Sequence, residues 1–387
     1  MKENIIVGVD FCHYIFEQDV VNGDFTFSIS RFVADIIDGL ESDDCDKNII
    51  IFSHGWSREF LKKRFPKAEV VSIDNKLIEL LRKITRRSLY RIFDTNKMLC
   101  KRVNKSNIDI YWDPYVRMWK GEIRKKRVVT IHDLIDYKKN DQDDNEGLEK
   151  ALLSADHIVA ISEYVKEDCI NTFPINSDKM SVIPNAIYIN SENGIEESLD
   201  IKSDYILDIN AFRRHKNTIA LIRAYALIAD KIPNDLVLCG GGKQEDFFSE
   251  ICSEIERLNL QNRVTILYQI SDANLKWLYN HAVLFVNPSL EEGFGRTPVE
   301  AIMHGVPVLT TKETSLYEVT LGLLDYIDDP NDPQEISNKI MNILESGVAY
   351  NVNSIKERYI EEYKPKRIAQ KYWDLFLKTD DESAISQ

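Results

Sequence analysis

The 387-residue chain reads as an α/β protein built from two doubly wound parallel sheets. Three observations carry this. Short apolar runs rich in Val and Ile recur along the chain, as expected of parallel strands covered on both faces. Segments of helical periodicity alternate with them, in one set before and one set after a polar stretch at residues 188–203. At 44% hydrophobic residues the chain can bury two cores, and its length suits two domains.

The first set of strands is read at residues 4–10, 48–52, 70–73, 108–112, 127–131 and 157–160. Between the third and fourth, residues 75–102 are predicted to form one helix, with Leu77, Leu80, Leu81, Ile84, Leu89 and Ile92 near helical spacing. Arg82, Lys83, Arg86, Arg87 and Arg91 fill its other side. Residues 138–147 are polar and aperiodic, which predicts a loop. Ser162 is positioned to cap the helix that follows the sixth strand. The second set is read at residues 205–209, 235–239, 264–267, 282–286, 306–309 and 324–326, with helices at 217–229, 298–304 and 333–344. Residues 358–377 close the chain as helix, broken near Pro365, before a polar tail. The expected domains are residues 1–189 and 204–365, with a separate helix at 366–379.

The most informative stretch is residues 287–310. A strand leads into a loop with Glu292, Gly293, Phe294 and Gly295, then a helix with Thr297 as expected N-cap, Pro298 near its first position and Gly305 ending it. Glu292 and Glu300 have seven residues between them. With Glu292 in the loop and Glu300 in the first helical turn, both are expected to face one crevice. The glycines let the backbone approach a ligand closely. Backbone N–H groups of the loop and of the helix N-terminus, Arg296 and Thr297 included, suit an anion. Two carboxylates beside an anion site suit a ligand with both hydroxyls and phosphates, such as a nucleotide sugar. A solvent-facing loop with ordinary glutamates is the bland alternative.

Composition narrows the setting. No apolar run reaches the ~20 residues of a membrane-spanning helix, and the N-terminus runs straight into a strand without a signal-peptide pattern. The six cysteines, at 12, 45, 100, 169, 239 and 252, form no C-x-x-C pair, so neither a zinc site nor a disulfide framework is expected. A reducing cytosol is the simplest compartment to expect. Net charge is −14, yet residues 60–127 hold 20 Lys+Arg against 7 Asp+Glu. This basic segment reads either as a surface for anionic membrane lipids or as a solvated helix face. No nucleic-acid-binding pattern accompanies it, so nucleic acid is not expected as a partner.

The Glu292–Glu300 arrangement resembles the E-x7-E signature of the retaining GT-B glycosyltransferases of family 4. The resemblance extends over residues 100–375 and is weak over the first hundred. It implies an α/β, GT-B fold: two Rossmann-like doubly wound domains facing a central cleft, with the C-terminal helix returning to the first domain. It implies transfer of a sugar from a UDP- or GDP-linked donor to a saccharide hydroxyl with retained configuration. Catalytic roles fall to His132, in a matching His132-Asp133-Leu134 motif, to Lys216 and to Glu292. Nucleotide-sugar contacts fall to Gly23, Arg213, Arg214, Gly241, Ile270, Gly293, Phe294, Gly295, Arg296, Thr297 and Glu300.

Lys216 would neutralise the diphosphate. The family's usual second cation aligns with Ala211, and either Arg213 or Arg214 would substitute for it. Ile270 lies in the loop expected around the base. Gly23 is the one glycine in a loop that is Gly-rich in the family, where a plain turn explains it equally. A tight strand–helix turn explains Gly241 equally. Neither a metal nor a cofactor is expected. The expected acceptor is lipid-linked, as in surface polysaccharide assembly, with peripheral attachment to the inner face of the plasma membrane. The alternatives are a nucleotide-sugar epimerase and a non-catalytic saccharide-binding partner of another transferase.

Overall fold

The computed structural model describes all residues except 1–4, 23–24, 26–27, 43–46, 76–77, 79–93, 140–144, 190–195, 202, 241–244 and 382–387. Two compact units emerge from its internal contacts: Met1–Ala186 with Tyr363–Gln387, and Ile187–Glu362.

In the first unit the described strands are β1 (Ile6–Asp10), β2 (Asn48–Ser53), β3 (Glu69–Ser72), β4 (Ile110–Asp113), β5 (Lys126–Ile131), β6 (His157–Ala160) and β7 (Met180–Val182). They form one sheet in the order β3-β2-β1-β4-β5-β6-β7, and every pairing is parallel. The last strand was not expected, because its three residues are too few for a pattern. The strand period of two divides the side chains between the faces. Val7, Val9, Ile49, Ile51, Ile110 and Trp112 enter one core. Ile6, Ile50, Phe52 and Tyr111 enter the other.

The larger core is closed by the helices Ser28–Glu41 and Pro365–Asp381. Phe32, Ile36, Ile37 and Leu40 from the first pack with Ile368, Tyr372 and Phe376 from the second. Lys126 holds the far end of the latter helix, donating from Nζ to the carbonyl of Asp380 at 2.6 Å and to that of Thr379. A cation on the last carbonyls also opposes the helix dipole.

The helix expected at 75–102 lies mostly outside the described residues, as do its Arg82, Arg86 and Arg87. Its described end is a separate helix, Thr95–Lys105, because Asp94 is extended (ψ 97°) and caps it, accepting from Lys97 N at 2.9 Å.

The second unit contains β8 (Tyr205–Ile209), β9 (Asp235–Gly240), β10 (Val264–Tyr268), β11 (Ala282–Asn287), β12 (Val308–Thr311) and β13 (Asp325–Ile327). Their order is β10-β9-β8-β11-β12-β13, again all parallel. Its core gathers Leu221, Ile222 and Tyr225 from the helix Thr218–Ala226, and Phe247, Ile251 and Ile255 from Glu245–Arg257. Ile336, Ile340 and Ile343 come from Pro333–Ser346. The spacing of four in Phe247, Ile251 and Ile255 is the helical stripe that buries one face. The expected doubly wound α/β architecture is the one the chain adopts. In each sheet the strand order reverses once, between β1 and β4 and between β8 and β11. Such reversals open a crevice at the carboxyl ends of the strands.

Gly39 fixes the spacing of the two closing helices. A Cβ there would stand 2.4 Å from the Pro365 carbonyl oxygen and 2.6 Å from Ala369 Cβ. Alanine has the higher helix propensity by ~1 kcal/mol, but contact with backbone cannot be relieved by a rotamer change. Gly39→Ala should therefore lower stability by about 1–3 kcal/mol. Urea denaturation checks this, and an unchanged or raised midpoint would show that the helices can part without cost.

Candidate functional site

The reversal in the second sheet sets the loop after β8 beside the loop after β11. Between β8 and the next helix, Asn210 organises the backbone. Its Oδ1 accepts from Phe212 N at 2.6 Å, and its Nδ2 donates to Asp208 Oδ2 at 2.5 Å and to Thr218 Oγ1 at 3.1 Å. Phe212 and Asn217 take positive φ, and the short 3₁₀ turn Arg214–Lys216 lies between them. Gly240 makes room for this turn, since a Cβ there would lie 2.3 Å from Asn210 O. Lys216 thus ends up 16% exposed, with Nζ 2.7 Å from Glu292 Oε1 of the neighbouring loop. The loops are also tied through backbone, with Leu290 N donating to His215 O at 2.8 Å.

Glu292 is held by its main chain. Its N–H donates to Thr314 Oγ1 at 2.9 Å, and its carbonyl accepts from Thr314 Oγ1 at 3.0 Å and Ser315 Oγ at 2.9 Å. Gly293, Phe294 and Gly295 are buried beside it. The helix starts earlier than expected, at Arg296, with Gly295 in the left-handed region (φ 84°) at its cap and Gly305 ending it as expected. Thr297 is therefore inside the helix, and Glu300 is in its second turn. The capping role went to glycine because the chain must turn through positive φ there, which a threonine disfavours.

Glu300 lies against two partners. Arg296 Nε donates to Oε1 at 2.5 Å and Tyr279 Oη donates to Oε2 at 3.1 Å. Arg296 is thus directed along its own helix. Tyr279 is buried, and burial followed by the Glu300 charge pushes its hydroxyl well above the usual tyrosine range. Its ring stacks on His304, with centroids 4.9 Å apart at 10°.

Arg214 is turned away from Lys216 to Glu250, bonding its two carboxylate oxygens, one at 2.8 Å, over the Phe247 ring. Arg213 is exposed. Ile270 is half-buried, just before Ser271, which caps the next helix. Gly23 and Gly241 lie outside the described residues.

His132 belongs to the first unit, directly after β5. Its Nε2–H donates to Pro114 O at 3.0 Å, and its ring meets the edge of Phe32 at 4.7 Å. Burial pushes its pKa down to about 3. The ring is therefore neutral at pH 7, with the lone pair on Nδ1. A cavity beside it is lined by Tyr115, Arg117, Asp133 and Asp136.

Sequence reasoning missed three features. Thr314 and Ser315, which anchor Glu292, carry no motif. Asp208 is a fully buried acid inside β8, and burial raises its pKa to about 8. At the reversal of the first sheet, Lys120 donates to Asp10 Oδ2 and Asp113 Oδ1, each at 2.8 Å, and to Tyr14 Oη at 2.5 Å. All four residues are buried. Burial alone would raise Asp10, but Lys120 and then His13 hold it well below the usual carboxylate range.

These contacts also revise the reading of the basic segment. Lys120 and Arg127 are buried, Arg64 is paired with Asp38, and Arg117 bonds Asp136 at 2.9 Å. Part of the positive excess is therefore spent inside the unit rather than on its surface.

Among the described residues no cluster of His, Cys, Asp or Glu is placed to hold a metal ion, and no helix is long and apolar enough to cross a membrane.

Gly295→Ala tests the cap. Positive φ costs a non-glycine residue roughly 1 kcal/mol, and the new Cβ would stand 2.4 Å from Leu316 Cδ2. Gly295→Ala should destabilise the second unit, and adding Leu316→Ala should not restore it, since the strained backbone persists. Recovery in the double variant, read by thermal unfolding, would show that only the clash mattered.

Comparison with known proteins identifies the family. The family described as Glycosyl transferases group 1 matches residues 192–367, and Glycosyltransferase Family 4 matches residues 29–190. The O-antigen chain mannosyltransferase RfbU of Salmonella typhimurium is 28% identical over 224 residues, 57% of this chain and 61% of that protein. O-antigen chain mannosyltransferase B of Escherichia coli is 28% identical over 241 residues, 57% of this chain and 62% of that one. The matched stretch thus spans about three fifths of these relatives. The crystal structure of HepE from Anabaena, in complex with UDP and glucose, superposes with a TM-score of 0.69 at 17% identity, covering 97% of this chain and all of the other. Two family models that together run from residue 29 to 367, on two parallel doubly wound sheets, make the chain a member of the GT-B glycosyltransferases of the group 1 and family 4 type.

Proposed function

We propose that the protein transfers a sugar from a nucleoside diphosphate sugar, UDP- or GDP-linked, to a hydroxyl of a saccharide acceptor in polysaccharide synthesis. The observation that carries this is the Lys216–Glu292 contact of 2.7 Å at the reversal of the second sheet. The O-antigen mannosyltransferase relatives support a polysaccharide product, and HepE, crystallised with UDP, supports a nucleotide-linked donor.

In this reading the bond from the anomeric carbon to the diphosphate breaks as the acceptor oxygen bonds to that carbon. The acceptor proton passes to the departing phosphate, and configuration is retained. Negative charge grows on the diphosphate, and Lys216 stabilises it. That charge is already in place, so a metal is not needed in this reading. Glu292 meets the transferred sugar and Glu300 the ribose hydroxyls. His132 offers a neutral imidazole whose Nδ1 can accept from a hydroxyl. The acceptor is lipid-linked, and residues 60–127 approach the anionic inner face of the membrane through those of their cations that are not already buried.

Nucleotide release from a panel of UDP- and GDP-sugars tests this, with Lys216→Ala and Glu292→Ala beside the wild type. One donor should be hydrolysed slowly, and each variant should lose on the order of 10²-fold in rate. Conversion of a donor to its epimer without acceptor would replace the transferase with an isomerase. Variants as active as the wild type would remove the site from this crevice of the second sheet.

A further inference from the structure

A third ionisable group lies beneath the Lys216–Glu292 pair. Asp208 is on β8, an interior strand paired with β9 on one side and β11 on the other, and it is 0% exposed. One carboxyl oxygen accepts from Asn210 at 2.5 Å, while the other, Oδ1, is buried with no hydrogen-bond partner among the described residues. An ionised carboxylate with a dry, unpaired oxygen costs several kcal/mol, so such a group holds its proton. Asn210 also shapes the turn that carries Lys216, so Asp208 is built into the same support.

Two titratable groups act on Asp208, Lys216 from the turn after β8 and Glu292 from the loop after β11, and Asp208 in turn acts on Cys239 of β9. The Cys239 thiol is pushed up to about 12, by burial and then by Asp208, and stays neutral. Burial raises Asp208 to about 8 and Glu292 acts in the same direction, against Asn210 and Lys216.

We infer that Asp208 is a positioning residue for the phosphate subsite, and that binding of a donor diphosphate at Lys216 is coupled to the proton on this buried carboxyl. The inference rests on the reading of Lys216 as the phosphate ligand. Lys216 already faces Glu292. Ionised Asp208 would add a second negative charge beneath it and weaken its hold on an anion. By reciprocity, a bound diphosphate raises the affinity of Asp208 for its proton by the same factor. The sign follows: donor binding is tightest below pH 8, where Asp208 is neutral, and weakens as pH rises through that value.

Titration calorimetry with UDP-glucose and GDP-mannose at pH 7, 8 and 9 tests it, on the wild type, Asp208→Asn and Lys216→Ala. Wild-type affinity should fall about tenfold from pH 7 to 9, the limit for a group titrating near 8 whose ionised form does not bind. Asp208→Asn should vary less than about twofold once that titration is gone. In buffers of different ionisation enthalpy at pH 8, the wild type should take up as much as about half a proton per donor bound. An equal fall in Asp208→Asn, or no proton uptake by the wild type, overturns the inference. If Asp208→Asn does not fold, wild-type proton uptake decides alone. Absence of binding by both nucleotide sugars, or Lys216→Ala binding as tightly as wild type, fails the reading of Lys216 itself and removes the inference with it.

Discussion

Both sheets are wholly parallel and covered by helices, and that constraint governs where charge can stand. A strand buried on two faces cannot carry an ionised side chain without a partner. Polar chemistry is therefore driven to the carboxyl ends of the strands, and to the crevice where strand order reverses. Each unit has one such reversal and each places a lysine there. The consequences differ. Lys120 is enclosed by Asp10, Asp113 and Tyr14, and its charge is consumed inside the fold. Lys216 is 16% exposed against one direct carboxylate and remains able to meet an anion.

The contrast is energetic as well as geometric. Removing one member of the Lys120 cluster would leave an uncompensated buried charge, which typically costs about 3–5 kcal/mol. That cluster is a support for the strand ends from which His13 and the following loop emerge. The Lys216 pair keeps some contact with solvent, with 16% and 11% of the two side chains exposed, unlike the enclosed Lys120 cluster. Its arrangement makes sense as a site that holds a cation in readiness, not as a brace.

What was legible in the sequence follows the same division. The buried strands and the loop before residue 296 were readable because apolar runs and loop glycines leave strong patterns. Gly305 ends its helix where the sequence placed it. The failures are local competitions that one-dimensional spacing does not encode. Arg214 is paired through both carboxylate oxygens of Glu250, on the helix after β9, a contact that spacing does not encode. Thr297 resembled a cap, but positive φ handed that position to Gly295. The basic segment resembled a surface, although Lys120 and Arg127 are interior. Asp208, an acid in an apolar strand, carries no motif, and only its surroundings give it meaning.

The two glutamates of the seven-residue spacing are also less alike than their symmetry suggests. Glu292 is anchored through its backbone by Thr314 and Ser315, which leaves its carboxylate facing one lysine among the described residues. A ligand cation or hydroxyl can approach that carboxylate without breaking the loop. Glu300 is held the other way, by its carboxylate, with Arg296 on one oxygen and Tyr279 on the other. A sugar hydroxyl reaching Glu300 must share an oxygen already accepting a bond, or displace Arg296. Carboxylate oxygens have lone pairs enough for sharing, and the fixed orientation lowers the entropy lost on binding. Glu300 is thus suited to recognising an unreactive part of a ligand in one pose. Glu292, with Lys216 as its partner, is suited to the place where charge changes during reaction.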